Sequence, residues 1–228
     1  MAQLFHRSMN SVARIAVFGL PLLAMGSILG GTIIYRSGYI TGENETIDQP
    51  VPFSHKHHVG ELGIDCRYCH TSVETSAFAG IPPTKTCMNC HQQVWTGSEM
   101  LGVVRESYKQ DKSIPWIRVH NTPDYVYFNH SIHIAKGVGC QSCHGDIDKM
   151  HLTFQSKSLL MEWCIKCHRD PEPSLRPKEE VFSMTWTPGQ TKKPDGTPYT
   201  QAELGAELKK AHNVRDAYTM TRCSICHR

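Results

Sequence analysis

The sequence predicts loops and short α-helices wrapped around groups other than its own side chains, with one N-terminal transmembrane helix. Three observations lead there. Only 39% of the 228 residues are hydrophobic and 8% aromatic, which is lean for a self-supporting core. A run of 21 residues, Ile15 to Tyr35, carries no charge. All 10 cysteines fall into copies of one pattern, C-x-x-C-H, and no strand-rich stretch lies between them. With 20% charged residues the chain is not a disordered acidic or basic tail. A net charge of +3 is too weak to point to a nucleic-acid partner.

The uncharged run is the first element. At about 1.5 Å rise per residue it spans roughly 31 Å, close to one bilayer core. Arg7 and Arg14 precede it, and Arg36 is followed by Glu43, Glu45 and Asp48. The positive flank predicts that Met1 to Arg14 stay cytoplasmic and that the rest of the chain is exported. A cleaved signal peptide is the rival. The run is long for a signal core and no A-x-A site follows it, so a retained anchor is expected. Gly26 and Gly30 form a G-x-x-x-G, a spacing that lets another helix approach or simply reflects how common glycine is in membrane helices. Pro21 removes one backbone donor and is a candidate kink.

The cysteine pattern is the second element. Cys66 and Cys69 precede His70, Cys87 and Cys90 precede His91, Cys140 and Cys143 precede His144, Cys164 and Cys167 precede His168, and Cys223 and Cys226 precede His227. C-x-x-C-H is the attachment site of a c-type haem: two thiols form thioethers to the vinyl groups and the adjacent His becomes the proximal iron ligand. Structural zinc uses C-x-x-C knuckles two at a time, and five is an odd number. A thioredoxin-like dithiol needs one motif in an α/β pattern. A disulfide framework suits export but leaves the histidines unexplained. Five covalently bound haem c groups are therefore expected, and their macrocycles supply the apolar interior that the side chains lack.

An internal duplication orders the rest. Phe53-Ser54-His55-Lys56-His57-His58 precedes the first motif, and Phe128-Asn129-His130-Ser131-Ile132-His133 precedes the third. The offsets are 75 residues for the Phe, 74 for the leading Cys and 77 from Cys87 to Cys164. The expected organisation is residues 1–14 cytoplasmic, 15–35 anchor, 36–52 linker, 53–127 a first two-haem module and 128–170 a second. Residues 171–228 form an extended connection that ends in the fifth haem. That connection is rich in Pro and Gly turn signals. One helix is expected from Thr200, where Glu203 completes a T-x-x-E capping box, to about Lys210. Another is expected near Ser98 to Lys109, where Leu101, Val104 and Tyr108 share a face.

The F-x-H-x-x-H spacing resembles that of the triheme and tetraheme cytochromes of class III. In those proteins the first His caps the haem that follows and the second caps a neighbour. The resemblance implies that His55 caps the haem of Cys66, His58 that of Cys87, His130 that of Cys140 and His133 that of Cys164. The fifth distal ligand is contested. Spacing favours His212, which lies 11 residues before Cys223, as His55 lies 11 before Cys66. His151 and Met150 are outside candidates.

A longer resemblance covers nearly the whole chain. It rests on Ile114-Pro115-Trp116-Ile117-Arg118-Val119-His120, Pro123-Asp124, Val126-Tyr127-Phe128-Asn129-His130, the histidine-rich segment before Cys66, Met161-Glu162-Trp163 before Cys164, the anchor, and the terminal Cys223-Ser224-Ile225-Cys226-His227. Together they resemble the pentahaem cytochrome subunit of alternative complex III, a quinol-oxidising respiratory complex. The resemblance implies His120, in its R-V-H-x-x-P-D block, as the fifth distal ligand. The stretch Lys209 to Arg222 departs from the pattern.

The function expected is electron transfer by a membrane-anchored, periplasm-facing subunit that is not an enzyme by itself. Membrane lipid, other membrane and periplasmic subunits and an electron acceptor are its expected partners. No general acid–base pair or nucleophile stands out, and the one membrane helix has no ionisable residue to serve a proton path. Two alternatives remain: a multihaem reductase with an open-coordination haem, and a freestanding anchored quinol dehydrogenase.

Overall fold

The computed structural model describes residues 6–227. The cytoplasmic stretch expected over 1–14 is therefore described from residue 6 onward. A single helical rod, Met9–Arg36, opens the described chain and is long and apolar enough to cross a bilayer. Its apolar side chains are exposed all round, as a lipid-facing helix requires, with Leu23 at 67% and Ile28 at 70%. The rod starts six residues before the uncharged run and ends on Arg36. Pro21 does not break it. The turn Ile15–Gly19 just upstream is π-helical, and this looser winding accommodates the missing donor and the ring.

Below the rod the chain is short helices and loops, with isolated β-bridges instead of strands among the described residues. The helix expected near 98–109 is a 3₁₀ turn Glu99–Leu101 running into Gly102–Gln110, closed by Asp111 at φ 51°. The helix expected from Thr200 is Gln201–Ala211, and Thr200 and Glu203 make both bonds of the capping box. Only ten hydrophobic side chains are buried among the described residues. One cluster joins Val51, Leu101, Val104 and Ile114 to Cys87, Met88 and Trp116. Leu62, Phe78, Ile81 and Val94, close in sequence to the cysteine motifs, are more than half exposed. So small an apolar core, flanked by bare apolar side chains at the motifs, suits a fold completed by apolar groups attached there.

The two F-x-H-x-x-H segments adopt one local arrangement. Phe53 meets His55 edge-on at 4.9 Å and stacks on His58 at 4.3 Å. Phe128 meets His130 edge-on at 4.8 Å and stacks on His133 at 4.5 Å. In each copy the second His bonds through Nδ1 to the carbonyl four residues back, Ser54 or Asn129. The copies differ by one residue between Phe and Cys, and the structure shows where it goes. The first copy winds Lys56–Glu61 as a π-helix, while the second winds His130–Ala135 as an α-helix. The wider π-turn absorbs the extra residue. Both then close on a left-handed glycine three residues before the first Cys, Gly63 at φ 67° and Gly137 at φ 79°.

Candidate haem centres

Each C-x-x-C-H motif lies on a helical turn, not in open loop: Cys66–Cys69, Thr84–His91, Cys140–His144, Met161–Arg169 and Cys223–Cys226. Helical winding puts the two thiols, three residues apart, on one side of the turn, with the His one position further on. In the first, third and fifth motifs the residue before the leading Cys is extended, so the turn starts at that Cys. Asp65 also caps the first by accepting from the Arg67 backbone N–H.

The hydrogen bonds of the motif histidines fix which ring nitrogen is free. Nδ1 of His70 donates to the Gly80 carbonyl at 2.7 Å, His91 to Val94 at 3.2 Å, His168 to Met220 at 2.8 Å and His227 to Tyr125 at 2.8 Å. A carbonyl only accepts, so Nδ1 carries the proton and Nε2 keeps its lone pair, as a histidine held for a metal does. The expected distal histidines follow the same rule: His58 donates to Ser54, His133 to Asn129 and His130 to Ala77. His55 places Nδ1 2.9 Å from the Thr153 hydroxyl. Partners such as Ala77, Gly80 and Met220 were not legible in the sequence, because any residue supplies a carbonyl.

Three of the expected pairs face one another. Ring centres lie 6.2 Å apart for His58 and His91, 6.2 Å for His133 and His168, and 6.4 Å for His130 and His144. Two imidazoles sharing one metal, with bonds of about 2.0 Å on either side, put their ring centres about 6 Å apart. The donor set therefore fits six-coordinate iron held between paired histidines. Among the described residues no three His, Cys, Asp or Glu side chains converge as a metal-binding cluster. His55 and His70 share a neighbourhood, since the charge of His70 reaches His55, but no facing geometry accompanies it.

The contenders for the remaining ligand sit in different places. His120 packs on the third motif, its ring centre 4.3 Å from that of His144 and its Nε2 3.2 Å from His144 Nδ1. It thus stands where a backbone carbonyl stands beside His70, His91, His168 and His227. His212 bonds through Nδ1 to the Lys136 carbonyl at 3.0 Å and lies against Gly137. Met150 is buried, and His151 lies 3.4 Å from the Lys56 ammonium. His57 pairs with Glu61 at 2.8 Å and stacks over Trp95.

Burial sets the electrostatics. It holds His55 and His120 down at about 4 and His144 at about 3, with neighbouring histidines adding to the effect, so these rings are neutral at pH 7, the form that ligates metal. Burial also pushes the Cys140 and Cys143 thiols up to about 12. Arg176, which sequence reasoning missed, is buried against the third motif. It donates to Ser183 O and Gln141 Oε1 and lies 5.2 Å over the Trp186 ring. No sequence signal marks it, since an arginine in a loop is ordinarily exposed.

No protein-family model matches the chain. A relative does. The multihaem cytochrome c subunit of a menaquinone reductase from Nitratidesulfovibrio vulgaris is 34% identical over 142 residues, covering 53% of this chain and 68% of the relative. Covalent haem c attachment and a part in electron transport follow. The five-fold C-x-x-C-H pattern, the facing histidines and this relative agree that the chain belongs to the multihaem c-type cytochrome subunits.

Proposed function

We propose that the chain is a single-pass inner-membrane cytochrome whose periplasmic part carries five haem c groups and passes electrons between a quinol-oxidising partner and a periplasmic acceptor. The observation that carries the reading is the facing of His58 with His91 and of His133 with His168 at 6.2 Å, each ring oriented by a backbone carbonyl. The ten motif cysteines would form the thioethers. His70, His91, His144, His168 and His227 would be the proximal ligands, and His55, His58, His130 and His133 distal ones. The haems supply reversible one-electron chemistry. This chain spaces them, holds Nε2 of each ligand free and shields the irons from small substrates. A six-coordinate iron offers no site for a substrate, so the chain transfers electrons and catalyses nothing alone.

For the fifth distal position, hydrogen bonding favours His212 over His120. His212 has the Nδ1–carbonyl bond that every other proposed ligand except His55 and His144 makes, while His120 has the position of a partner that orients His144. The quinol link is supported by the relative's place in a menaquinone reductase, and membership of an alternative complex III by the sequence blocks that resemble its pentahaem subunit. That the relative serves a menaquinone reductase also favours a second reading, in which electrons run toward a quinone.

The test is a pyridine haemochrome assay with intact mass and carbon monoxide titration of the native protein. Five covalent haems, low-spin and unreactive to carbon monoxide, are expected. Fewer than five, or a stoichiometric high-spin haem that binds carbon monoxide or nitrite, overturns the wire in favour of a reductase. Supplying the purified native complex with a quinol or a quinone decides the direction.

A further inference from the structure

We propose that the five haem sites lie in space in the order second, first, third, fourth, fifth, and that electrons enter and leave the chain only at the second and fifth motifs. This rests on the five-haem reading above and adds to it a path that differs from the order in sequence.

The links are side-chain and backbone contacts between motifs. The second motif touches the first: Asn89, between Cys87 and Cys90, donates to the hydroxyl of Tyr68, between Cys66 and Cys69, at 3.0 Å. The first touches the third through one dipeptide. Arg67 lies 4.5 Å over the Phe182 ring, while the carbonyl of Val181 accepts the Cys140 N–H at 3.0 Å. The loop after His70 reinforces this join, since Ala77 O takes both the backbone N–H and Nδ1–H of His130. The third touches the fourth through Ser174, whose carbonyl accepts from Gly139 N–H at 3.2 Å and whose hydroxyl lies 3.8 Å from Cys167 Sγ. The fourth touches the fifth where His168 Nδ1 donates to Met220 O, three residues before Cys223.

The ends of this path are marked independently. Of the ten cysteines only Cys90 and Cys223 are exposed, one in the second motif and one in the fifth; the other eight are half-buried. On its other side the second motif is backed by the apolar cluster of Leu101 and Val104. The fourth motif is the one tied to the membrane rod, through an Arg36–Glu162 ion pair of 2.7 Å on the Met161–Arg169 helix. Each transfer moves one electron and no proton, with no bond made or broken. A one-electron donor and a one-electron acceptor would then dock at opposite ends, where the exposed cysteines lie, while the six cysteines of the three middle motifs are half-buried.

The order follows directly from iron positions in a cryo-EM map of the native complex, paired with redox titration of His58→Met followed haem by haem. The map is expected to place the first iron between the second and third, with partner surfaces over the second and fifth. The His58→Met substitution is expected to raise the midpoint of the second haem and, by contact, shift that of the first alone. A second iron lying between the first and third, or a shift shared by the first and third haems, overturns the order while leaving the wire intact. Fewer than five irons overturns the wire itself, which keeps the two failures distinct.

Discussion

Gly137 and Gly63 form a matched pair, and substituting each by Ala separates backbone strain from packing on His212. Both residues hold left-handed φ values, 79° and 67°, three residues before a leading Cys. An alanine there costs about 1–2 kcal/mol of backbone strain. At Gly63 nothing lies within 4 Å of the added Cβ, so the strain is the whole effect. At Gly137 the Cβ would meet the His212 ring at 2.5 Å and the Arg176 carbonyl at 2.7 Å. Backbone cannot yield easily, so the ring must move, and the His212–Lys136 bond of 3.0 Å goes with it. Losing that bond adds about 1 kcal/mol. Gly137→Ala should therefore destabilise by about 2–3 kcal/mol, against about 1–2 kcal/mol for Gly63→Ala. Guanidinium unfolding of the solubilised holoprotein, followed by Soret circular dichroism, reads the difference. If His212 is an axial ligand, Gly137→Ala should also gain a high-spin, carbon monoxide-reactive haem that Gly63→Ala lacks. Equal loss of stability in the two variants, with both spectra low-spin, would refute the reasoning.

Further outcomes follow from the same geometry. His130→Ala should open one iron, making about one haem in five carbon monoxide-reactive, because His130 stands 6.4 Å across from His144. His212→Ala should do likewise, whereas His120→Ala should stay low-spin and instead shift one midpoint potential; the reverse result restores His120 as the fifth ligand. Phe128→Leu removes a stack of 4.5 Å on His133 and should cost about 0.5–1.5 kcal/mol in the same unfolding assay, with ligation kept. Replacing residues 1–35 by a cleavable export signal should release a soluble haem protein that no longer co-purifies with its complex; retention in the membrane would mean that partners hold it.

The sequence by itself determined what is encoded over a few residues. C-x-x-C-H is a chemical code at spacings of three and four, so five candidate attachment sites were legible without coordinates. The uncharged run, the Thr200–Glu203 capping box and the duplicated Phe-His spacing are equally local, and the structure carries each as a rod, a helix start and a repeated ring stack. Tertiary structure decided everything that joins distant segments. The contacts of Tyr68 with Asn89, of Arg67 with Phe182 and of His168 with Met220 span 21, 115 and 52 positions, and no periodicity announces them. Spacing favoured His212 and resemblance favoured His120, and the two could not be reconciled in sequence, because a ligand is chosen by where a loop brings its ring and by what binds the ring's other nitrogen. The extra residue of the first copy was visible as an offset of 75 against 74, but only the fold could show a π-turn taking it up. Local codes survive in the sequence because bonded geometry enforces them. Long-range placement depends on the summed packing of many weak contacts, which no short stretch of chain contains.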